Sequence, residues 1–249
     1  MLRLYWDIET TPNIGYFWKS GWRERISPEA IIEERRIICI SYKFEHEKVK
    51  TITWNNGCDK KLVEKFVKVA NTADILIAHN GDRFDLPWFR TRCIYHGVEF
   101  PPKPITIDTL KRVRGNFRFN SNKLDYIAKF LGVGEKMETG GFDLWKDVMK
   151  GDKKALKKMV EYCERDVEIL QKVHEKIAPH VPHTGHEGVM QGSEKWTCPH
   201  CGSKDVKQHR RRTTATGVEK YQMRCFGCKS FFTISSRQML NYMKEKLRR

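Results

Sequence analysis

Leu2, Leu4 and Trp6 alternate with Arg3, Tyr5 and Asp7, the period-two pattern of a strand with unlike faces. Residues 36–44 and 49–54, joined by the short polar segment 45–48, predict two more strands that extend the first into an antiparallel meander. Asn55-Asn56-Gly57 ends it with turn residues. Leu62, Val63, Phe66, Val67 and Ala70 then recur at helical spacing, so residues 60–70 predict an amphipathic helix. Residues 74–79 are a short apolar run, the mark of a central strand covered on both faces. A helix over 86–95 and a strand over 105–108 follow, with Asp108-Thr109 opening another helix. Leu124, Ile127, Ala128 and Leu131 form the apolar stripe of a helix over 122–131, capped by Ser121 and stopped by Gly132. After a short helix over 142–149, a long one runs from 152 to about 177 with Leu156, Met159, Val160, Cys163, Val167, Leu170 and Val173 on its core face. Five strands interleaved with helices make this part an α/β domain, 1–178.

The pattern then breaks. Residues 179–195 hold two prolines, three glycines and three histidines with no apolar period, and read as a linker. Cys198-Pro199-His200-Cys201 and Cys225-Phe226-Gly227-Cys228 follow, separated by 23 residues. Each pair suits a tight knuckle, and four thiolates complete a tetrahedral Zn²⁺ site with no open position, hence a structural zinc. His200 and His209 are spare ligands of lower rank. Residues 206–212 and 218–224 predict a hairpin around 213–217, so 196–234 read as a zinc ribbon and 235–249 as a basic, helical tail. The fragment around Cys225 and Cys228 is similar to the zinc ribbons attached to transposases.

Charge sharpens the picture. The 249 residues carry a net charge of +16, which points to a polyanionic partner, nucleic acid before anionic membrane. Residues 179–249 hold 14 Lys and Arg against 5 Asp and Glu, whereas the first 178 hold 33 against 26, so the charge is concentrated in the second module. Arg210, Arg211 and Arg212 beside the hairpin turn are the candidate phosphate contacts. Tyr221, Phe226, Phe231 and Phe232 could stack on bases, although a ribbon this small needs several of them as core. No apolar run reaches the roughly 18–20 residues that span a bilayer, so no membrane partner is expected. The first residues enter a strand without a signal-peptide pattern, and Cys39, Cys58, Cys93 and Cys163 lie singly in the chain, as buried free thiols would. The expectation is a cytoplasmic protein in a reducing compartment. Nothing in the sequence specifies a protein partner.

The candidate chemistry starts at Asp7-Ile8-Glu9-Thr10. Side chains two apart on a strand share a side, about 7 Å from each other, so Asp7 and Glu9 can hold one cation between them. They repel unless a metal or protons neutralise them, and the alternative is a pair of solvated strand-end residues. Asp85, between a strand end and Pro87, is either the cap of its helix or a ligand at the carboxyl end of a central strand. Asp108 reads as a cap. Tyr162 and Asp166 stand one turn apart on the long helix, beside its apolar stripe, where a carboxylate needs a partner to be buried.

Together, Asp7-x-Glu9, Asn80-x3-Phe84-Asp85 and Tyr162-x3-Asp166 resemble the three motifs of the DEDD-type 3′–5′ exonucleases, most of all the proofreading domains of family-B DNA polymerases. The resemblance covers roughly residues 1–178, and Tyr162 matches the tyrosine subclass. It implies a ribonuclease-H-like fold with a mixed five-stranded sheet flanked by helices. It also implies two Mg²⁺ or Mn²⁺ ions, with Asp7 bridging both, Glu9 and Asp166 completing the first site and Asp85 holding the second. Such a pair stabilises the attacking water and the leaving 3′ oxygen of an in-line displacement. Tyr162 would orient the water, since a phenol with a reference pKa of about 10 is a poor base at neutral pH. Asn80 and Phe84 would line the cleft near the terminal nucleotide, with core packing an equal alternative for Phe84. The implied activity is metal-dependent 3′–5′ exonucleolysis of DNA, single-stranded first. Alternatives are an RNA exonuclease, a structure-specific endonuclease, or a non-catalytic nucleic-acid-binding protein.

Overall fold

The computed structural model describes residues 2–19, 21, 25–101, 104–135, 137, 140–183 and 185–248. In chain order the elements are β1 (Arg3–Thr10), β2 (Ile14–Gly15), β3 (Ile31–Glu33), β4 (Ile37–Phe44), β5 (Lys50–Thr53), α1 (Lys60–Ala70), β6 (Ile75–Ala78), α2 (Asp85–His96), β7 (Thr106–Asp108), α3 (Thr109–Asn116), α4 (Leu124–Phe130), α5 (Asp143–Met149), α6 (Lys153–Ile177), α7 (Glu187–Met190), β8 (Val206–Thr213), β9 (Glu219–Cys225), β10 (Phe231–Ser235) and α8 (Ser236–Leu247). They divide into two compact units: Leu2–Lys111 with Phe119–Lys172, and Arg112–Arg118 with Val173–Arg249.

The first unit is built on a five-stranded sheet in the order β5-β4-β1-β6-β7. β4 runs antiparallel to both β1 and β5, while β6 runs parallel to β1 and β7. That is the expected mixed sheet. One expectation about β1 changes: Tyr5, on its polar-patterned side, is 0% exposed. The strand is central, and helices cover both of its faces. On one face Leu4, Trp6 and Ile8 pack with Leu62 and Phe66 of α1 and Phe89 and Cys93 of α2. Phe66 ties this layer together, 5.1 Å from the Trp6 ring and 5.0 Å edge-on from Phe89. On the other, Ile38 and Cys39 of β4 pack with Leu144 and Val148 of α5 and with Ala155, Met159 and Cys163 of α6.

Below the first layer lies a buried ion pair that the hydropathy pattern does not announce. Both guanidinium nitrogens that Arg92 offers to Asp59 lie 2.7 Å from its oxygens, His96 Nε2 lies 2.7 Å from Oδ1, and the Ile37 amide donates to Oδ2 at 3.0 Å. Burial alone would raise the Asp59 carboxyl; the donors from Arg92, Ile37 and His96 outweigh it and hold the pKa below the ordinary 3.8. The pair pins the start of β4 and α1 to α2.

In the second unit β9 lies between β10 and β8, antiparallel to each. Trp196, Val206, Met223, Phe232, Ile234 and Met239 form its core. The basic tail, expected to be helical, is helix α8, which starts in a capping box between Ser235 and Gln238, contributes Met239 to that core, and donates the Tyr242 hydroxyl to the Val206 carbonyl at 3.1 Å. The stretch expected to be a linker contains the one-turn helix α7, capped by His186.

Candidate functional site

The carboxyl end of β1 is where the candidate carboxylates gather. Pairing of β1 with β6 ends at Tyr5↔Ile77. Beyond it the Ile8 amide has no neighbouring strand on that side, and Asp85 Oδ1 accepts it at 3.2 Å. The side chain that opens α2 therefore reaches the backbone between Asp7 and Glu9. Asp85 is 1% exposed. Its pKa is raised well above 3.8, first by burial and then by the charge of Asp7, so Asp85 and Asp7 sense each other directly. Opposite Glu9 the pairing with β4 is irregular: Glu9 faces Cys39 and Thr10 faces Ile37, which leaves Ile38 as an inserted residue. A bulge of this kind twists a strand and re-aims its side chains.

α6 covers the same strand end. The Cys163 thiol lies 3.5 Å from the Asp7 carbonyl oxygen and 3.6 Å from Asp7 Oδ2, so that both acceptors are within reach of its one hydrogen. Burial holds that thiol protonated, and a hydrogen bond with Cys39 and the charges of Asp7 and Glu9 add to it. Tyr162, half-buried, and Asp166, 4% exposed, flank Cys163 on the helix. Helical spacing puts Asp166 one turn beyond the residue that touches Asp7.

The loop that delivers Asp85 is tightly built. Asn80 adopts φ +71°, and its carbonyl accepts the amides of Arg83 and Phe84 at 3.1 and 2.9 Å. A Cβ at buried Gly81 would stand 2.4 Å from that of Ala78, so only glycine fits. Asp108 caps α3 through the amides of Leu110 and Lys111, as expected, but it also accepts the amides of Asn80 and Asp82 at 3.0 and 3.3 Å. It is a brace for the loop as well as a cap. Asn80 is half-buried at this turn, and Phe84 packs partly buried against the Trp6–Phe66–Phe89 layer. The pattern offered no sign of the Cys163–Asp7 contact except the position of Cys163 on the apolar stripe.

The cysteines converge more closely than the carboxylates. Among the described residues Cys198, Cys201, Cys225 and Cys228 have ligand atoms all within 4.8 Å of one another, and no such group of three is formed by carboxylates. The Cys198–Cys228 and Cys201–Cys225 sulfurs are 3.6 Å apart, near the roughly 3.8 Å expected around one tetrahedral Zn²⁺ with bonds of about 2.3 Å. Ser230 Oγ lies 3.0 Å from Cys228 Sγ and 3.5 Å from Cys198 Sγ, a partner just outside the ligand set. The four could bind zinc.

The three arginines do not act as a block. Arg210 pairs with Gln222 and Arg212 with Lys220, while Arg211, opposite Tyr221, forms an ion pair with Glu219. Strand alternation puts Arg211 on the other side of β8 from its two neighbours.

The sequence model of the family RNase_H_2, described as RNase_H superfamily, matches residues 32–178. The chain belongs to the RNase_H superfamily. Several DNA polymerases share stretches with this RNase_H chain. That of Thermococcus hydrothermalis is 33% identical over 75 residues, which is 26% of this chain and 4% of the relative. That of Thermococcus gorgonarius is 35% identical over 78 residues, 27% of this chain and 10% of the relative. The chain thus spans at most a tenth of these curated relatives. A solved family B DNA polymerase from Pyrobaculum calidifontis superposes with a TM-score of 0.56 at 17% identity, over 72% of this chain and 24% of that one, a likeness of fold. The resemblance read from the three motifs agrees with these relationships. The RNase_H match includes Asp85, Tyr162 and Asp166; Asp7 and Glu9 precede it and join the site through β1, and the four cysteines follow it.

Proposed function

We propose that the chain is a metal-dependent 3′–5′ exonuclease acting on single-stranded DNA, with a zinc ribbon that grips nucleic acid. The observation that carries this reading is the reach of Asp85 to the Ile8 amide, between Asp7 and Glu9, at the strand end where the Cys163 thiol of α6 also meets Asp7. The donors are all oxygens, the preference of hard divalent ions such as Mg²⁺ and Mn²⁺. The raised Asp85 carboxyl fits too, since a buried acid beside a second acid is the group a cation relieves. Asp7, Glu9, Asp85 and Asp166 would hold two such ions, which when bound supply activation of water and stabilisation of the leaving oxygen.

The chain's own groups do the rest. Tyr162 orients the attacking water. Cys163 and the Ile8 amide fix the carboxyls of Asp7 and Asp85, and Asn80 shapes the turn at which the terminal nucleotide lies. In the ribbon one Zn²⁺ on Cys198, Cys201, Cys225 and Cys228 holds the fold.

Incubation of 5′-labelled single-stranded DNA with Mg²⁺ or Mn²⁺ tests the reading: a ladder shortening from the 3′ end is expected, and none with Asp7→Ala. Equal behaviour of the two proteins would sink the site. Matched RNA and duplex substrates on the same gel decide the sugar and the strandedness.

A further inference from the structure

The pleat of the ribbon sheet sorts its side chains into two unlike faces. Val206, Met223, Phe232 and Ile234 point into the core. The opposite face is read off the pairing as three rows. Lys207 pairs with Arg224, which pairs with Phe231; Arg210 pairs with Gln222, which pairs with Thr233; Arg212 pairs with Lys220, which pairs with Ser235. The register shift between Gln208 and Arg210 is what brings Lys207 and Arg210 to the same face, because it inserts His209. Five of these nine residues are basic and none is acidic.

Aromatic rings stand among the cations. Phe231 is 45% exposed, whereas its neighbour Phe232 supplies the core, so packing does not account for Phe231. The Arg224 guanidinium lies 5.7 Å from the Phe231 ring and 5.6 Å from the ring of Phe226, just beyond the end of β9. Lys207 Nζ is 5.1 Å and Lys229 Nζ 5.9 Å from the Phe226 ring, and the His209 ring is 5.0 Å from Phe231. Exposed Phe231 and half-buried Phe226, with the Arg224 guanidinium over both rings and two ammonium groups over the second, offer flat surfaces to bases and charge to the adjoining phosphates.

We infer that this face is a base-stacking platform for single-stranded nucleic acid, with Phe231 and Phe226 taking bases and Lys207, Arg224 and Lys229 the phosphates between them. Arg210, Arg212 and Lys220 continue the phosphate track along the sheet. Arg211 is not part of it. The inference rests on the reading that the ribbon grips nucleic acid, and it selects the strandedness: in a duplex the base faces are already stacked, so the rings have nothing to receive.

The test measures binding of fluorescein-labelled oligo-dT, oligo-U and a DNA duplex across a salt series, with the full chain in an Asp7→Ala background to prevent cleavage. Phe231→Ala should weaken single-strand binding about 5- to 100-fold, leave its salt slope unchanged and spare the duplex. Phe231→Trp should bind like the parent. Lys207→Ala and Arg224→Ala should each flatten the log–log slope by about 0.7, and Arg211→Ala should not. Zinc content equal to the parent's certifies each fold. Undiminished binding of both single strands by Phe231→Ala, or an equal loss on the duplex, overturns the platform and gives the face to a protein partner. Cleavage of saturating short substrate by Phe231→Ala, in a chain that keeps Asp7, reports on the nuclease reading separately.

Discussion

The two ligand clusters of this chain are assembled in opposite ways. In the ribbon, the ligand atoms of four cysteines from two knuckles all lie within 4.8 Å of one another. In the RNase_H domain, the candidate carboxylates come from β1, α2 and α6, and among the described residues no three of them form such a group. Cysteine sulfurs are held at 3.6 Å here, whereas carboxylates repel, and the Asp85 carboxyl is raised first by burial and then by the charge of Asp7. The difference extends to what each cluster does for its fold. The RNase_H domain has an aromatic core and the Asp59–Arg92 pair to hold it up, so its acidic site is added to a finished scaffold. The ribbon has a core of a few residues, two of them cysteines of the cluster, so its cluster is part of the scaffold.

The sharpest way to break this comparison is to remove the ribbon's ligand. Chelation of zinc, or Cys201→Ser, should unfold the ribbon outright, since binding of a structural zinc is worth about 10–16 kcal/mol. Calorimetry should then show the RNase_H transition unmoved; a ribbon that still melts cooperatively would mean that its small core suffices.

Next in size is Asp59→Ala, which leaves Arg92 charged and buried and should destabilise the RNase_H domain by about 3–5 kcal/mol without changing zinc content. The pH dependence has a definite sign. The folded pKa of Asp59 lies below 3.8, so its contribution is complete above that value and is lost as pH falls through the lower folded value. Denaturant midpoints of parent and variant should therefore converge in strong acid.

Adding Mg²⁺ at about a hundred times its Kd should stabilise the parent's RNase_H domain by about 2.7 kcal/mol and Asp7→Ala by far less. An equal shift in both would place the ion elsewhere.

The smallest expected effect has the opposite direction. Asp85→Asn removes a carboxyl whose folded pKa is raised, a group that favours folding less as pH rises above 3.8. Without divalent ions the variant should be more stable than the parent at neutral pH and no more stable near pH 3. The same variant should lose the Mg²⁺ response. Stability that falls at both pH values would mean that the Ile8 hydrogen bond matters more than the buried charge.

Much of this was legible along the chain. Period-two and period-3.6 patterns locate β1, β4, α1, β6 and α6, because each has at least one face fixed by the core. The motif spacings single out Asp7, Glu9, Asp85, Tyr162 and Asp166 as candidates, and the two C-x2-C pairs mark the cysteine cluster, because in both cases the side-chain chemistry is written in the residues themselves. What tertiary structure alone decided is how distant residues meet. Asp108 looks like a cap from its neighbours in sequence, and its hold on Asn80 and Asp82 exists only because β7 lies beside β6. Tyr5 sits in a polar-patterned position and is buried because α-helices cover both faces of a central strand. Arg210, Arg211 and Arg212 are one run in sequence and two faces in the sheet, since a strand turns each successive side chain over and the insertion at His209 resets which face Arg210 takes. Local pattern determines which residues a segment offers; pairing register, a long-range property, determines where they point.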